Sequence, residues 1–482
     1  MRHEDRSDKQ AKFSAHQGLA SENRSAALNV MPGVFPIGTH VYREPCRDLE
    51  SVLRDLKVVK DQGFNLIKIQ QVWSASEKTE GRIDLEPIER IIDRAMELNL
   101  GVYLGLTMEQ APAWLWKKFP DASPVMANGL RVNDPTQYCL PSDGKPGPCW
   151  HHPQARHAAE RFMTEMVRRL SRFDNIWVWN IWQEIGLGNE ASPICFCEHT
   201  LKAFRSWLQT RYETLQTVNR LWGTNYGAWD EIEPPRAFVS VPITIDWRYF
   251  MDDVYLPEVL AWRSRIIKEN DPRQRPVFSH CAVPEIGRGS DWRWAEAADF
   301  FGESYYPAWN VLDDWEERSH NRSDRDVTLS HEICHYIQLN TDYIRGAARN
   351  RPIWAAEFQG GPITTSSLYI GRIPDPDDIR RWMLSGVAAG LSGISFWNHR
   401  AEVFWNECNG FGLLDARGDS TPRIRTAGRI GRALNRFANL FSRGETPKAP
   451  VAILVNEELY HFAKATCPLC KPFNYPQFSL PV

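Results

Sequence analysis

The regular alternation of short apolar runs with amphipathic stretches, from Met31 onward, constrains the fold more than any other feature of the chain. Short apolar runs bounded by turn residues predict buried strands, and stretches with apolar residues at helical spacing predict helices. Eight strands are predicted, over residues 34–41, 65–70, 101–107, 175–180, 276–280, 300–305, 353–358 and 393–398. A helical stretch follows each of them, most clearly over residues 154–172 and 377–389.

Such a strand and helix alternation predicts a parallel sheet of the α/β class. Eight units spread over about 400 residues favour a closed (β/α)8 TIM barrel over an open doubly wound sheet. No glycine-rich phosphate loop follows the first predicted strand, which argues against a dinucleotide-binding fold. In a barrel, the carboxyl ends of the strands face one active site, so functional residues are expected at the strand tips.

The composition of the chain changes at both ends, which predicts three segments. Residues 1–30 are polar and charged and are predicted to be a disordered tail, and residues 31–446 form the catalytic barrel. The apolar run that begins at Val451 resembles the first strand of another α/β domain. Only about thirty residues remain there, too few for a domain of their own. Residues 447–482 are therefore expected to be the beginning of a second, incomplete domain.

Charge and cysteine usage narrow the classes of partner. The net charge is -3, with 57 basic and 60 acidic residues, which gives no electrostatic reason to expect nucleic acid or an anionic membrane. The first thirty residues lack the apolar segment of a secretory signal, so a soluble cytoplasmic protein is expected. In that setting the ten cysteines favour buried thiols or one metal site over a disulfide framework.

Two glutamates follow apolar runs at predicted strand tips. Glu184 follows strand four in WVWNIWQEIG, and Glu357 follows strand seven in PIWAAEFQGGP. A pair of carboxyl groups about 5–5.5 Å apart is what a retaining glycosidase needs: one attacks the anomeric carbon and the other transfers protons. Trp179, Trp182 and Trp354 lie beside the pair in the sequence, and an aromatic setting around Glu184 would suit the acid.

An ordered set of motifs extends this pattern over about residues 36–415. The matching segments are GFNLIKIQQVWSASEKTEG, APAWL, the region around Glu184, the Tyr306 and Pro307 step, Glu357 with Gly361 and Pro362, and Phe396 with Arg400 and Glu407. In these motifs the chain resembles glycoside hydrolase family 42, the barrel β-galactosidases, or a close relative in the same clan.

The resemblance implies a retaining exo-β-glycosidase that hydrolyses terminal β-linked sugars of oligosaccharides or glycosides without a cofactor in the chemical step. Glu184 is implied as the acid/base and Glu357 as the nucleophile. Phe396 and Glu407 are implied to lie in a sugar-binding segment at strand eight. Family members also form homotrimers through a domain that follows the barrel, so a weakened oligomer or a monomer is expected here.

Three substitutions depart from the family pattern at the sugar pocket. Gln183 stands where the clan has an asparagine that contacts the sugar 2-hydroxyl. Lys68 stands where the family has an arginine in strand two, and Lys145 stands where it has a basic residue before the first metal cysteine. Lysine keeps the charge but loses the planar two-pronged hydrogen bonding of arginine. The preferred sugar is therefore open between galactoside, mannoside and arabinopyranoside.

A metal site is also implied by the resemblance. Many relatives hold a structural zinc with four cysteines, and Cys149, Cys195 and Cys197 match three of them, whereas the fourth position holds Thr200. Because zinc needs four ligands in a closed tetrahedral site, His199, Cys139 or Glu198 would have to replace the fourth cysteine. The alternative is a cluster of buried thiols.

Two further interpretations stay open. The HEICH segment, with His331, Glu332 and His335, matches the motif of zinc metallopeptidases, in which two histidines one helical turn apart bind zinc. Five-residue motifs arise by chance, and this one precedes strand seven, in an outer helix of the predicted barrel. A barrel that binds sugar without hydrolysing it is the other alternative, since Gln183 and the short second domain are compatible with lost catalysis.

Overall fold

The structure is a computed structural model. It describes residues 33–42, 48–132, 147–186, 195–237, 239, 241–282, 290–310, 322–365, 368–370, 373–402, 407–441, 446–447, 450–456 and 461–462.

Eight parallel strands close into a barrel in the order β1-β10-β7-β6-β5-β4-β3-β2, and β8 and β9 form a separate antiparallel ribbon. The strands are β1 Ile37–Tyr42, β2 Leu66–Val72, β3 Gly101–Thr107, β4 Ile176–Asn180, β5 Val277–Cys281, β6 Phe300–Tyr305, β7 Ile353–Gln359, β8 Ile363–Thr365, β9 Leu368–Ile370 and β10 Gly393–Trp397. All eight predicted barrel strands and the (β/α)8 barrel itself are confirmed. The ribbon was not predicted, because three-residue strands carry too little periodic signal.

Helices surround the barrel and extend its loops. The α-helices are Leu49–Asp61, Trp73–Ser76, Glu86–Glu97, Ala113–Lys118, Pro153–Leu170, Glu198–Tyr212, Leu215–Trp222, Pro242–Tyr249, Leu256–Asn270, Asp291–Glu296, Pro307–Asn310, Arg322–Ala347, Pro376–Ala389, Pro422–Arg436 and Ala438–Phe441, with 3-10 turns at Pro120–Ala122 and Trp229–Glu231 and a π-helical segment at Phe250–Tyr255. Local sequence explains their ends. Asp375 caps the backbone N–H groups of Asp377 and Asp378 just before Pro376, and Gly390 ends that helix in the left-handed conformation.

The barrel interior below the site is a packed apolar layer. Its members, here called the inner cluster, are Leu66, Tyr103, Val178, Phe278, Phe300, Trp354 and Ala356. A much larger apolar cluster lies between the strands and the helices. Asn435, in the helix Pro422–Arg436, joins the last part of the barrel sequence to the first. Its side chain accepts from the N–H of Phe35 at 3.1 Å and from Asn65 Nδ2 at 3.0 Å. The packed interior leaves the carboxyl ends of the strands as the place for polar chemistry.

The predicted terminal segments are described only in small part. The predicted tail, residues 1–30, lies outside the described residues, and so does most of 447–482. Residues 451–456 form no strand in the described part of the chain, and Ile453 and Leu454 are 67% and 93% exposed. A strand needs a neighbour that satisfies its backbone groups, and the described residues provide none there. Among the helices of the described ranges, none has both the length and the apolar composition needed to cross a bilayer.

Candidate active site at the barrel mouth

A β-bulge in β7 directs Glu357 toward the barrel axis. Ala355 pairs with Glu303 of β6, yet the next β6 residue, Ser304, pairs with Glu357, so β7 has one extra residue at Ala356. The register with β10 shifts at the same place. Trp354 and Ala356 belong to the inner cluster, so simple alternation would turn residue 357 outward. The bulge changes that direction, as bulges commonly do next to active sites.

Two donors hold the buried Glu357 carboxylate. Lys68 Nζ of β2 lies 2.5 Å from Glu357 Oε1, and the hydroxyl of Tyr306, just past β6, donates to Oε2 at 2.7 Å. Lys68 is fully buried, and its ammonium lies 5.3 Å from the ring centroid of Tyr103 and 5.7 Å from that of Trp397. Charge-assisted contacts of this kind are strong inside a protein and stabilise the negative charge on Glu357.

Glu184 lies just beyond β4 in an unusual backbone conformation. Its φ is +47°, in the left-handed region that non-glycine residues seldom adopt. His280 of β5 holds this turn: its Nε2 faces the N–H of Glu184 at 3.3 Å, and its carbonyl accepts from the N–H of Ile185 at 3.0 Å. Strained conformations that the surroundings enforce are concentrated at functional sites.

Tyr306 connects the carboxylates at the mouth. Burial raises the pKa of Tyr306 well above its ordinary value, and the negative charges of Glu357, Glu184 and Glu407 raise it further. Tyr306 therefore remains a hydroxyl donor over the physiological pH range. Glu357 contacts this hydroxyl directly, and Glu184 and Glu407 act on it through their charges.

Gln183 is drawn toward β2 and β3. Its Oε1 accepts a hydrogen bond from Gln70 Nε2, and its Nε2 lies 3.4 Å from Thr107 Oγ1. Gly105 makes the room, because a Cβ at that position would lie only 2.7 Å from Gln183 Nε2. The extra methylene of glutamine is thus accommodated against β3, and its amide is occupied by neighbours.

Other predicted residues lie away from this group. Phe396 is fully buried and packs against Phe64 and Phe358, between the barrel wall and the helices. Lys145 lies outside the described residues. Although Phe396 is close to the end of β10, its ring therefore faces the protein core.

The tryptophans expected around Glu184 have other partners in the structure. Trp179 Nε1 donates to Asp271 at 2.9 Å, and the ring of Trp182 lies 4.3 Å from the guanidinium carbon of Arg263. Trp354 belongs to the inner cluster below. The register of β3 and β4 shifts near Trp177, and Asn180 rather than Trp179 contacts Tyr103 of the inner cluster. Proximity in sequence did not reveal which face of the strand each indole occupies.

Sequence reasoning missed several members of the site. His280, Gln70 and Trp397 lie on strands β5, β2 and β10, and Tyr306 was noted only as part of a motif. His280, Trp397 and Tyr306 lie at or just beyond the carboxyl end of a strand, which is the one signal the sequence offered. That signal is weak, since every barrel strand has such an end.

The three predicted metal ligands are brought together in the loops above the barrel. The sulfur atoms of Cys149, Cys195 and Cys197 lie within 4.8 Å of one another, and all three side chains are buried. Hydrogen bonds from the other two thiols hold the pKa of Cys197 well below its ordinary value. Three buried sulfurs at this spacing form a donor set that suits zinc.

The proposed replacements for the fourth cysteine do not face the thiols. His199 Nε2 lies 3.3 Å from Asp121, whose other oxygen lies 3.2 Å from His152 Nε2. Glu198 pairs with Arg205 at 3.0 Å on the surface. Cys139 lies outside the described residues. The Asp121, His152 and His199 group is itself a poor metal site, because the N–H of Ala155 donates to His152 Nδ1 and the proton of a neutral imidazole must then be on Nε2.

The HEICH segment lies in the helix Arg322–Ala347, which precedes β7 on the outer ring, as predicted. His335 is exposed there. Glu357, considered as a third ligand for this motif, lies inside the barrel with Lys68 and Tyr306. The structure therefore separates the two groups.

Comparisons with known proteins identify the family of the chain. The profile of glycoside hydrolase family 42, described as Beta-galactosidase, matches residues 42–437. Beta-galactosidase bgaB of Geobacillus kaustophilus is 26% identical over 419 residues, which cover 84% of this chain and 56% of that protein. The chain thus spans about half the length of the curated relatives it matches.

Solved structures share the fold. A family 42 β-galactosidase from G. stearothermophilus, solved as a catalytic mutant, superposes with a TM-score of 0.77 at 18% identity, covering 93% of this chain and 63% of the other. The cold-adapted β-galactosidase of Rahnella sp. R3 gives 0.75 at 22% identity, covering 90% and 60%. Because the family profile extends over most of the residues and the barrel is the one these relatives have, the chain belongs to glycoside hydrolase family 42.

Proposed function

We propose that the chain is a retaining exo-β-glycosidase, β-galactosidase-like, with Glu357 as nucleophile and Glu184 as acid/base. One observation carries the proposal: a buried carboxylate at the mouth of a family 42 barrel is held between Lys68 and Tyr306, with Glu184 acting on the same tyrosine. Curated relatives are named beta-galactosidases. Terminal β-linked sugars are the corresponding substrate class.

In the first step, Glu357 attacks the anomeric carbon while Glu184 gives its proton to the departing oxygen. The bond between the sugar and its leaving group breaks, and an ester between the sugar and Glu357 forms. Lys68 and Tyr306 orient the carboxylate before attack. As the ester forms, the negative charge they stabilise moves away, so their contacts must weaken for the reaction to proceed.

In the second step, Glu184, now a carboxylate, takes a proton from water, and the water oxygen displaces Glu357 from the sugar. His280 supports this residue by holding the turn at Glu184. The enforced left-handed conformation fixes where the carboxyl group can point. Two inversions at the same carbon give net retention.

The preferred sugar is proposed to differ from a simple galactoside at the 2-position. The amide of Gln183 is occupied by Gln70 and lies beside Thr107, so a contact to a 2-hydroxyl requires it to leave these neighbours. A panel of nitrophenyl β-glycosides should show that Gln183→Asn raises kcat/KM for galactoside relative to the best wild-type substrate. If the wild type already prefers galactoside and the substitution lowers that rate, the argument from Gln183 is wrong.

A structural metal is proposed at Cys149, Cys195 and Cys197, remote from the chemical step. Three thiolates would hold zinc, whose contribution there is to fix loop structure. The site joins the segment after β3, which carries Cys149, to the segment after β4, which carries Cys195 and Cys197, and the N–H of Phe196 donates to the carbonyl of Val125 at 2.8 Å beside it.

Proton NMR of the first-formed sugar tests the reaction class. Hydrolysis of an aryl β-glycoside by a retaining enzyme releases the β-anomer first, and the α-anomer appears only by mutarotation. Initial release of the α-anomer would contradict the proposal. Binding of sugar with no turnover of any glycoside in the panel would instead favour the non-hydrolytic barrel.

A further inference from the structure

The thiol cluster has an oxygen where a fourth ligand belongs. A zinc ion bound by thiolates at about 2.3 Å places neighbouring ligand atoms about 3.5–3.8 Å apart. Cys149 Sγ and Cys197 Sγ are 3.4 Å apart, and Thr200 Oγ1 lies 3.2 Å from the first and 3.6 Å from the second. Thr200 is fully buried, three residues after Cys197 and one helical turn along. The distances from the hydroxyl to these two sulfurs are close to those between neighbouring ligands of one tetrahedral ion.

The hydroxyl of Thr200 has a histidine neighbour, His151. His151 Nδ1 lies 3.2 Å from Thr200 Oγ1, within hydrogen-bond distance. The imidazole is held in place by stacking on Tyr255, with ring centroids 4.3 Å apart. Tyr255 in turn accepts from the N–H of Trp150 at 2.9 Å. A ligand group oriented by a fixed hydrogen-bond acceptor is the usual arrangement around bound metals.

We propose that this cluster binds a thiophilic divalent cation, zinc first of all, through three thiolates and the hydroxyl of Thr200, which donates its hydrogen bond to His151. The inference rests on the structural metal proposed above and adds its fourth ligand. Binding releases the thiol protons. Because a neutral alcohol is a weaker ligand than a thiolate for such cations, the metal exchanges faster from this site than from one with four cysteines.

Cobalt substitution in the full chain tests the assignment, with Thr200→Val, Thr200→Cys and His151→Phe as variants. Thr200→Cys should strengthen the sulfur-to-cobalt charge-transfer absorption and slow metal transfer to a colorimetric chelator at least tenfold. Thr200→Val, which keeps the side-chain shape, should alter the cobalt bands and speed the transfer at least tenfold. His151→Phe should speed it by a smaller factor. Circular dichroism and thermal unfolding establish that each variant is folded.

Three results would overturn the proposal. If Thr200→Val leaves the cobalt bands and the transfer rate unchanged, the hydroxyl is not a ligand. If His151→Phe alone changes the bands, the imidazole is the fourth ligand instead. If the wild type and Thr200→Cys bind no cobalt, or if Cys195→Ser does not abolish their cobalt binding, the cluster holds no metal. None of these readouts uses glycoside turnover, so they are independent of the proposed enzyme activity.

Discussion

Glu357 of β7 and Glu303 of β6 are buried carboxyl groups on neighbouring strands, yet their surroundings are opposite. Glu357 contacts the ammonium of Lys68 and the hydroxyl of Tyr306. Burial raises the pKa of Glu303 well above its ordinary value; the Tyr305 hydroxyl opposes that rise and the charge of Asp291 adds to it. Burial thus favours the neutral form of Glu303, whereas the Glu357 carboxyl group has an ammonium and a hydroxyl directed at it. Burial alone does not make a nucleophile; the side chains that face the carboxyl group decide.

The largest expected effect separates the two glutamates by activity. Glu357→Gln removes the nucleophile and should lower kcat for an aryl β-glycoside on the order of 10⁴-fold or more. Glu303→Gln, the matched control on the adjacent strand, should keep kcat within about threefold, because its carboxyl group takes no part in the chemistry. Equal losses in the two variants would contradict the assignment of roles.

Lys68→Met should have the next largest effect. Removing one partner of a buried ion pair leaves the other charge uncompensated, at a cost of about 3–5 kcal/mol of stability. Without the ammonium of Lys68, the proposed nucleophile loses a group that orients it, and kcat should fall about 10²- to 10³-fold. Lys68→Arg keeps the charge and should recover part of both losses. Denaturant titration and steady-state kinetics measure them, and an unchanged kcat in a folded Lys68→Met variant would refute the ion pair's role.

Tyr306→Phe should cost less, since it deletes one hydrogen bond to a charged group and keeps the ring. Such bonds contribute about 1.5–3 kcal/mol, which corresponds to about a 10- to 100-fold lower kcat. The loss should appear in kcat rather than in KM, because the hydroxyl contacts the nucleophile. A change confined to KM would indicate a substrate contact instead.

The smallest effect on activity is expected from substitution of Asp291, whose charge acts on Glu303. Its effect is measured instead in the pH dependence of stability. Burial raises the pKa of Asp291 to about 6, while the Tyr343 hydroxyl, 2.7 Å away, opposes the rise. An acid with a raised folded-state pKa binds its proton more tightly when folded, so stability is highest below pH ~4 and falls as pH rises to about 6. Asp291→Asn should remove about 2–3 kcal/mol of this fall in urea titrations between pH 4 and 7. A fall of unchanged size would show that Asp291 is ionised in the folded protein.

The strands that carry Glu357 and Glu303 show how much of the site the sequence predicts. The eight strands were predictable, because apolar runs and turn residues determine them locally, and so was the position of Glu357 at a strand tip. The bulge at Ala356, which turns Glu357 inward, was not, because an extra residue in a strand leaves no periodic signature. For the same reason the sequence did not show that Trp179 donates to Asp271 or that the Arg263 guanidinium lies over the ring of Trp182.

The thiol cluster shows a second limit of prediction from sequence. Three cysteines separated by up to 48 positions were grouped from family resemblance, and their side chains do meet. The neighbour at the fourth position could not be chosen from sequence. In the first turn of the helix Glu198–Tyr212, His199 faces Asp121, whereas Thr200 contacts the Cys149 sulfur and His151.

Azide rescue tests the central claim, the roles of Glu357 and Glu184, most directly. Glu357→Gly with an aryl β-glycoside and azide should regain turnover and give the α-glycosyl azide, because azide replaces the nucleophile from its own side of the sugar. Glu184→Gly should give the β-glycosyl azide, because azide then attacks the sugar ester of Glu357. The product's anomeric configuration is read by NMR. Exchange of the two configurations, or a Glu357→Gly variant that retains wild-type hydrolysis, would contradict the account.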